Sequence, residues 1–414
     1  MTSTIQTTTL PPAQPLYILR GHKAQVHAVK FIRSNRRLLT GDADGFVILW
    51  DIVSKRARVV WRAHLKSVLG LGSWGGDKVL SHGRDGTLKV WQLREEEEES
   101  FSTALPVEGG TEHWKEPWLL HSLDVNTLNF CAFSMCDAPV SQTSSLSAQD
   151  ATTSPLLVAV PGTREGHVDI FSLPSERRLH SIPPAEEGRT GMVMALQILH
   201  INNSLYLIVG TESGLTSVQK LNSNSKKWET TYISKTHTQP ILSLDVTSTT
   251  PSLATAAVSD VRYFTSSADA LITLNPIQKL EENKPLKTSQ TKHSGQQSLS
   301  VRSDGKMFAT GGWDGRVRVY SAKSLKELAV LKWHKDGVYG VAFSEIGEGR
   351  DDQTIKGIGD VTGGTSEKGE VQVEKRVASR GESIVRRKRE EKALETHWLA
   401  AGSKDGKVSL WEVY

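Results

Sequence analysis

The sequence predicts an all-β fold in which a short cassette, repeated seven times, builds a closed ring of small sheets. Two observations carry that expectation. A Gly-His or similar dipeptide is followed some thirty residues later by an Asp-Gly turn, an alternating strand and a Trp, and the pattern recurs from Gly21-His22 to Trp411. The final unit also stops after its third strand, at Trp411-Glu412-Val413-Tyr414, while Leu16-Tyr17-Ile18-Leu19 stands as an orphan strand before the first His. A ring closed by that orphan strand covers an exposed sheet edge.

The first copy runs from Gly21-His22 through Leu39-Thr40-Gly41-Asp42-Ala43-Asp44-Gly45 to Val47-Ile48-Leu49-Trp50. Gly tolerates positive φ at little steric cost, so Asp-Gly reads as a tight turn between two strands. The second copy has Ala63-His64, Ser81, Arg84-Asp85-Gly86 and Trp91. Units three to five are degenerate and are recognised by their spacing between better copies. They contain Glu165-Gly166, Ser213-Gly214 and Asp269-Ala270 at the turns, with His237 opening the fifth. The pattern sharpens again in the sixth unit, with His293, Thr310, Trp313-Asp314-Gly315 and Tyr320. The seventh has Trp333-His334, Ala401, Lys404-Asp405-Gly406 and Trp411. Seven units of roughly 42 residues use about 290. The surplus falls in a flexible leader over residues 1–14 and in insertions at about 94–116, 134–154 and 345–396.

These residues resemble the WD-repeat family, in which each unit is a four-stranded blade of a β-propeller. The resemblance covers residues 15–414 and implies a seven-bladed WD40 propeller whose last blade is completed by the N-terminal strand. It also implies that His22, Thr40, Asp44 and Trp50 form one buried hydrogen-bonded chain, and His64, Ser81, Asp85 and Trp91 a second. Unit six has Tyr320 in place of Trp, and unit seven has Ala401 in place of the hydroxyl, so these two networks are expected to be altered. A His, Asp and Ser set invites a hydrolase triad. Here the set repeats with the structural period and its hydroxyl is buried, so no catalytic residue is assigned.

In such a blade, first-to-second and third-to-fourth connections leave one face of the disc. All three insertions are connections of this kind, and their polar compositions predict disorder. The opposite face is left with short rigid turns suited to docking. Arg84, Trp313 and Lys404, each just before a turn Asp, are candidate partner contacts, although each also suits a variable turn position. Within the longest insertion, Lys375, Arg376, Arg386, Arg387, Lys388 and Arg389 resemble a bipartite nuclear-import signal. The bland alternative is a solvated charge run paired with Glu390 and Glu391 on a short helix. The Glu95 to Glu99 run reads as a solubilising loop or as a contact for a basic partner such as a histone tail.

Composition narrows the function classes. A formal net charge of +4 over 414 residues demands neither nucleic acid nor membrane, and no apolar run of about twenty residues occurs. The Thr- and Pro-rich start lacks the plan of a secretory signal, and two cysteines fit a reducing compartment. Cys131 and Cys136 lack a second ligand pair for zinc, and no phosphate loop, zinc-protease helix or nucleophile elbow is present. Neither cofactor, metal nor small-molecule substrate is expected.

Within the WD-repeat family, Pro15 to His22, the Gly41 to Gly45 turn and Gly311 to Tyr320 resemble a fungal group related to the animal G-protein β-subunit-like proteins. That resemblance implies a non-catalytic, nuclear scaffold subunit of the ASTRA assembly, linked to chromatin remodelling. It further implies contact with the Tel2-Tti complex that matures phosphatidylinositol-3-kinase-related kinases. A generic WD-repeat adaptor in another nuclear or cytosolic complex shares every feature above, and a propeller hydrolase would need unpaired His, Asp or Glu at the disc centre.

Overall fold

The computed structural model describes residues 13–109, 114–126, 130–138, 154–346 and 387–413, apart from 187, 189, 251, 254, 280 and 281. Within them the strands pair as seven four-stranded sheets. Blade 1 shows the plan: Val26–Ile32, Arg37–Asp42, Phe46–Asp51 and Ala57–Arg62 follow one another antiparallel from the centre outwards. Its two middle strands are sandwiched between neighbouring blades, so Arg37–Asp42 is buried along its whole length. A first strand faces a blade on one side and the central channel on the other. Val68–Trp74 accordingly alternates buried and half-buried residues.

The ring closes through the chain's two ends. Blade 7 takes Val338–Phe343, Trp398–Ser403 and Lys407–Glu412 from the C-terminal region and Tyr17–Arg20 from the N-terminal region as its outer strand. Tyr17 lies opposite Leu410 and Arg20 opposite Lys407, and the Leu16 amide donates to the Leu410 carbonyl at 2.8 Å. Hydrophobic burial is divided among the seven blade-to-blade interfaces. At the closing one, Leu19, Trp398, Ala400 and Leu410 meet Ile48, Trp50 and Val60. Between blades 1 and 2, Leu49 and Trp61 meet Val79 and Trp91.

Adjacent blades also meet at their tight turns. Gly45, at φ +88°, lies against the His64 carbonyl, and a Cβ there would come within 1.9 Å of that oxygen. Only glycine allows so close an approach.

The first two insertions differ from expectation. Residues 94–109 and 114–116 pack tightly along the outer edge of blade 1. Glu95–Ser100 and Pro106–Glu108 form short 3-10 helices, and the Val60 amide of the outer strand donates to the Ser102 carbonyl at 2.9 Å. The segment starts beside Arg33, in a first-to-second-strand turn, and reaches Phe46, next to a second-to-third-strand turn, where Trp114 meets the Phe46 ring edge-on at 4.9 Å. It therefore crosses the rim from one face towards the other. The second insertion begins later than expected, because Ser134–Asp137 is the first strand of blade 3. Of the third, residues 345, 346 and 387–396 are described, with a helix over 387–395.

Candidate docking face

The expected braces exist, with one carboxylate exchanged. His22 Nδ1 lies 2.7 Å from Asp42 and its Nε2 lies 2.6 Å from the Thr40 hydroxyl, to which the Trp50 indole N–H donates at 2.8 Å. Asp42 thus replaces Asp44 in this chain. The reason is position: Asp42 ends the second strand and is wholly buried, whereas Asp44 sits at the exposed tip of the turn. Blade 2 has Gly83 at the strand end, where a Cβ would fall 2.2 Å from His64 Nδ1, so there Asp85 reaches back to His64 at 3.1 Å. Ser81 links His64 and Trp91, each at 2.8 Å. With neutral imidazole, the indole proton goes to the hydroxyl, the hydroxyl proton to Nε2 and the Nδ1 proton to the carboxylate. Every donor in these two braces has an acceptor.

Blade 7 has not lost its hydroxyl. Ser409, directly across the strand pair from Ala401, supplies it at 2.8 Å to both His334 and Trp411. In blade 6 His293 stays outside the network, and Gln296 instead accepts the Thr310 hydroxyl at 2.6 Å. Arg318, 1% exposed, binds Asp314 through two hydrogen bonds of 3.1 and 2.6 Å, while Tyr320 stacks on Phe308 at 5.1 Å. Blade 5, which looked degenerate, carries a brace of His237, Asp269 and Thr265, extended by Thr273. These imidazoles and hydroxyls are consumed in bracing.

The short turns between second and third strands share one face with the starts of the seven first strands. Arg84 and Lys404 are exposed there, and Trp313 is 49% exposed. None of the three side chains belongs to a brace. The Arg84 guanidinium lies 4.2 Å over the Phe130 ring, and the Trp313 indole donates to Gln297 at 2.8 Å.

Those contacts lead to residues that sequence reasoning missed. In six blades the pairing between first and second strands slips by one residue, at His27, Leu69, Met194, Leu242, Gln297 and Tyr339. A bulge re-aims its extra side chain. These six, with Phe130 from blade 3, line the mouth of the central channel. His27 stacks on Tyr339 with ring centroids 5.2 Å apart, and burial lowers the pKa of its imidazole, which keeps it neutral at pH 7. Nothing in the apolar alternation marks the bulges, because Val26, His27 and Ala28 read as an ordinary strand.

The other candidates divide. Lys375, Arg376 and Arg386 lie outside the described residues, whereas Arg387, Lys388 and Arg389 are exposed on the helix before Trp398, with Arg387 paired to Glu391 at 3.4 Å. The acidic run is committed internally at two positions: Glu98, 3% exposed, is hydrogen-bonded to Arg33 and Arg37, and Glu95 binds Arg36 at 2.8 and 2.9 Å, while Glu96 and Glu99 are exposed. A basic partner at Glu95 or Glu98 would have to displace these arginines. Cys131 is buried and Cys136 half-buried, and burial raises both thiol pKa values, that of Cys136 to about 12.

Seven four-stranded blades, three of them braced by His, hydroxyl and Trp, with the ring closed by the N-terminal strand, define a WD-repeat β-propeller. Consistent with this, the family described as WD domain, G-beta repeat matches residues 13–51 and 283–321, each beginning just before or on a blade's outer strand and running through three strands of the next. Relatives extend over the whole chain. An ASTRA-associated protein 1 of Verticillium alfalfae is 43% identical over 100% of this chain and 96% of its own length, and one of Aspergillus niger is 42% identical over 98% of each. That of Schizosaccharomyces pombe is 32% identical over 80% of this chain and 93% of its own length. The chain belongs to the ASTRA-associated protein 1 family.

Proposed function

We propose that this chain is a non-catalytic scaffold subunit of the ASTRA assembly that holds other protein subunits on the face bearing Arg84, Trp313 and Lys404. The observation that carries the reading is end-to-end similarity to proteins named for association with ASTRA. The geometry agrees with it. The His and Asp side chains that recur with the cassette are engaged in braces, and the exposed groups lie on rigid turns suited to docking. On this reading the protein supports chromatin remodelling and, through the Tel2-Tti complex, maturation of phosphatidylinositol-3-kinase-related kinases. Affinity purification of the tagged chain with mass spectrometry tests it. Copurification of large helical-repeat ASTRA subunits is expected, and a folded chain that recovers a different complex overturns the assignment.

The same reading places the protein in the nucleus, with Arg387, Lys388 and Arg389 exposed to an import receptor. A fluorescent fusion with these residues and Arg386 changed to Ala is expected to shift to the cytoplasm. Unaltered distribution would remove the signal.

A further inference from the structure

The docking face has a sharply uneven charge. On the turns of blades 7, 1 and 2 it exposes Lys23, Lys66, Arg84, Lys335 and Lys404 against two exposed carboxylates, Asp44 and Asp336. The other carboxylates of these turns keep their charge but are turned inward: Asp42, Asp85 and Asp405, with side chains 1%, 11% and 14% exposed, each face a brace imidazole, and all three also accept backbone amides. Lys23, Lys66, Lys335 and Lys404 form no ion pair among the described residues. A protein of small net charge thus concentrates free cations on one arc of one face. Beside that arc the channel mouth sets apolar and aromatic side chains among polar ones, with Tyr339 and Leu69 half-buried, Phe130 51% exposed, and His27 and Gln297 beside them.

We propose that this arc and mouth bind an extended acidic segment of a partner protein, with one apolar or aromatic side chain inserted at the mouth. The inference rests on the scaffold reading and adds the chemistry of the partner. Charge complementarity selects an anion, because a like-charged segment would meet several uncompensated cations. The mouth favours protein over nucleic acid: a phosphate backbone gains from cations alone, whereas Tyr339, Leu69 and Phe130 offer apolar contact to an anchor side chain. Asp44 and Asp336 within the arc also repel a continuous phosphate backbone, and a peptide with spaced carboxylates can avoid them.

The test uses the full-length protein and fluorescence polarisation with three labelled probes. One is a synthetic peptide of about twelve residues, rich in Asp and Glu around a central Phe. The second has that Phe changed to Ser, and the third is a single-stranded oligonucleotide of equal charge. The acidic Phe peptide is expected to bind, with affinity falling at least about tenfold for the triple variant Lys66→Glu, Lys335→Glu, Lys404→Glu and again for Tyr339→Ala. The Ser peptide and the oligonucleotide are expected to bind at least about tenfold more weakly than the Phe peptide. Equal or tighter binding of the oligonucleotide overturns the proposal in favour of a nucleic-acid site. Binding that is indifferent to the triple variant, or absent for the Phe peptide, also overturns it. The three lysines lie outside the braces, so an unchanged melting temperature certifies each variant as folded. Copurification with ASTRA subunits is read separately, so the scaffold assignment can stand while this inference fails.

Discussion

A buried carboxylate held by an imidazole and two backbone amides is the strongest residue-level feature of blade 1, and it belongs to Asp42. Removing it strands the His22 Nδ1 proton in the interior, so Asp42→Ala is expected to destabilise the protein by about 3 kcal/mol. Asp44→Ala should stay within about 0.5 kcal/mol. Chemical denaturation of the two variants measures both. The cassette rule pointed to the Asp of Asp-Gly, which is correct in blade 2; in blade 1 the Asp two residues earlier, at the strand end, reaches the imidazole first. His82 offers a second residue-scale test. It is buried against Phe133, neither ring nitrogen meets a hydrogen-bond partner among the described residues, and burial lowers its pKa to about 3. The unfolded chain therefore takes up this proton at higher pH than the folded one. The stability His82 contributes is fully present above its ordinary pKa near 6.5 and falls by about 1.4 kcal/mol per pH unit between that value and pH 3. His82→Phe should flatten the pH dependence of the melting temperature in that window, and an unchanged slope would contradict the assignment.

Two elements show how far a linear pattern carries. The strands and turns of blades 1, 2, 6 and 7 were legible, because period-two burial and Asp-Gly turns are local signals. The rim strap of residues 94–109 and 114–116 was not. Its composition reads as solvated, and the arginines that bury it, Arg33 and Arg37, lie some sixty residues away in sequence. Glu98→Gln should cost about 3 kcal/mol by leaving the Arg33 guanidinium with a neutral partner and weakening the cluster in which Arg37 still pairs with Asp51, whereas Glu96→Gln and Glu99→Gln, both exposed, should be near neutral. Thermal denaturation checks all three. Blade 7 makes the same point in miniature. Its hydroxyl was invisible at Ala401 because only strand pairing shows that Ser409 faces the same spot. Ser409→Ala should lower the melting temperature, and adding Ala401→Ser should restore part of the loss.

For the whole molecule, closure is the condition of rigidity, since blades braced one by one still need the seventh interface. Deleting residues 1–20 removes Leu19 from that interface and bares the edge of Lys407–Glu412. Soluble yield should fall and the melting temperature drop by more than about 5 °C; unchanged stability would contradict closure by this strand. The bracing residues and the docking residues are separate sets, and this separation is the central claim. Its most direct measurement is quantitative copurification of the wild-type chain and the triple variant Arg84→Ala, Trp313→Ala, Lys404→Ala. The expected result is at least about a tenfold loss of ASTRA subunits at a melting temperature within about 2 °C of wild type. Full recovery of those subunits by the folded variant would contradict it.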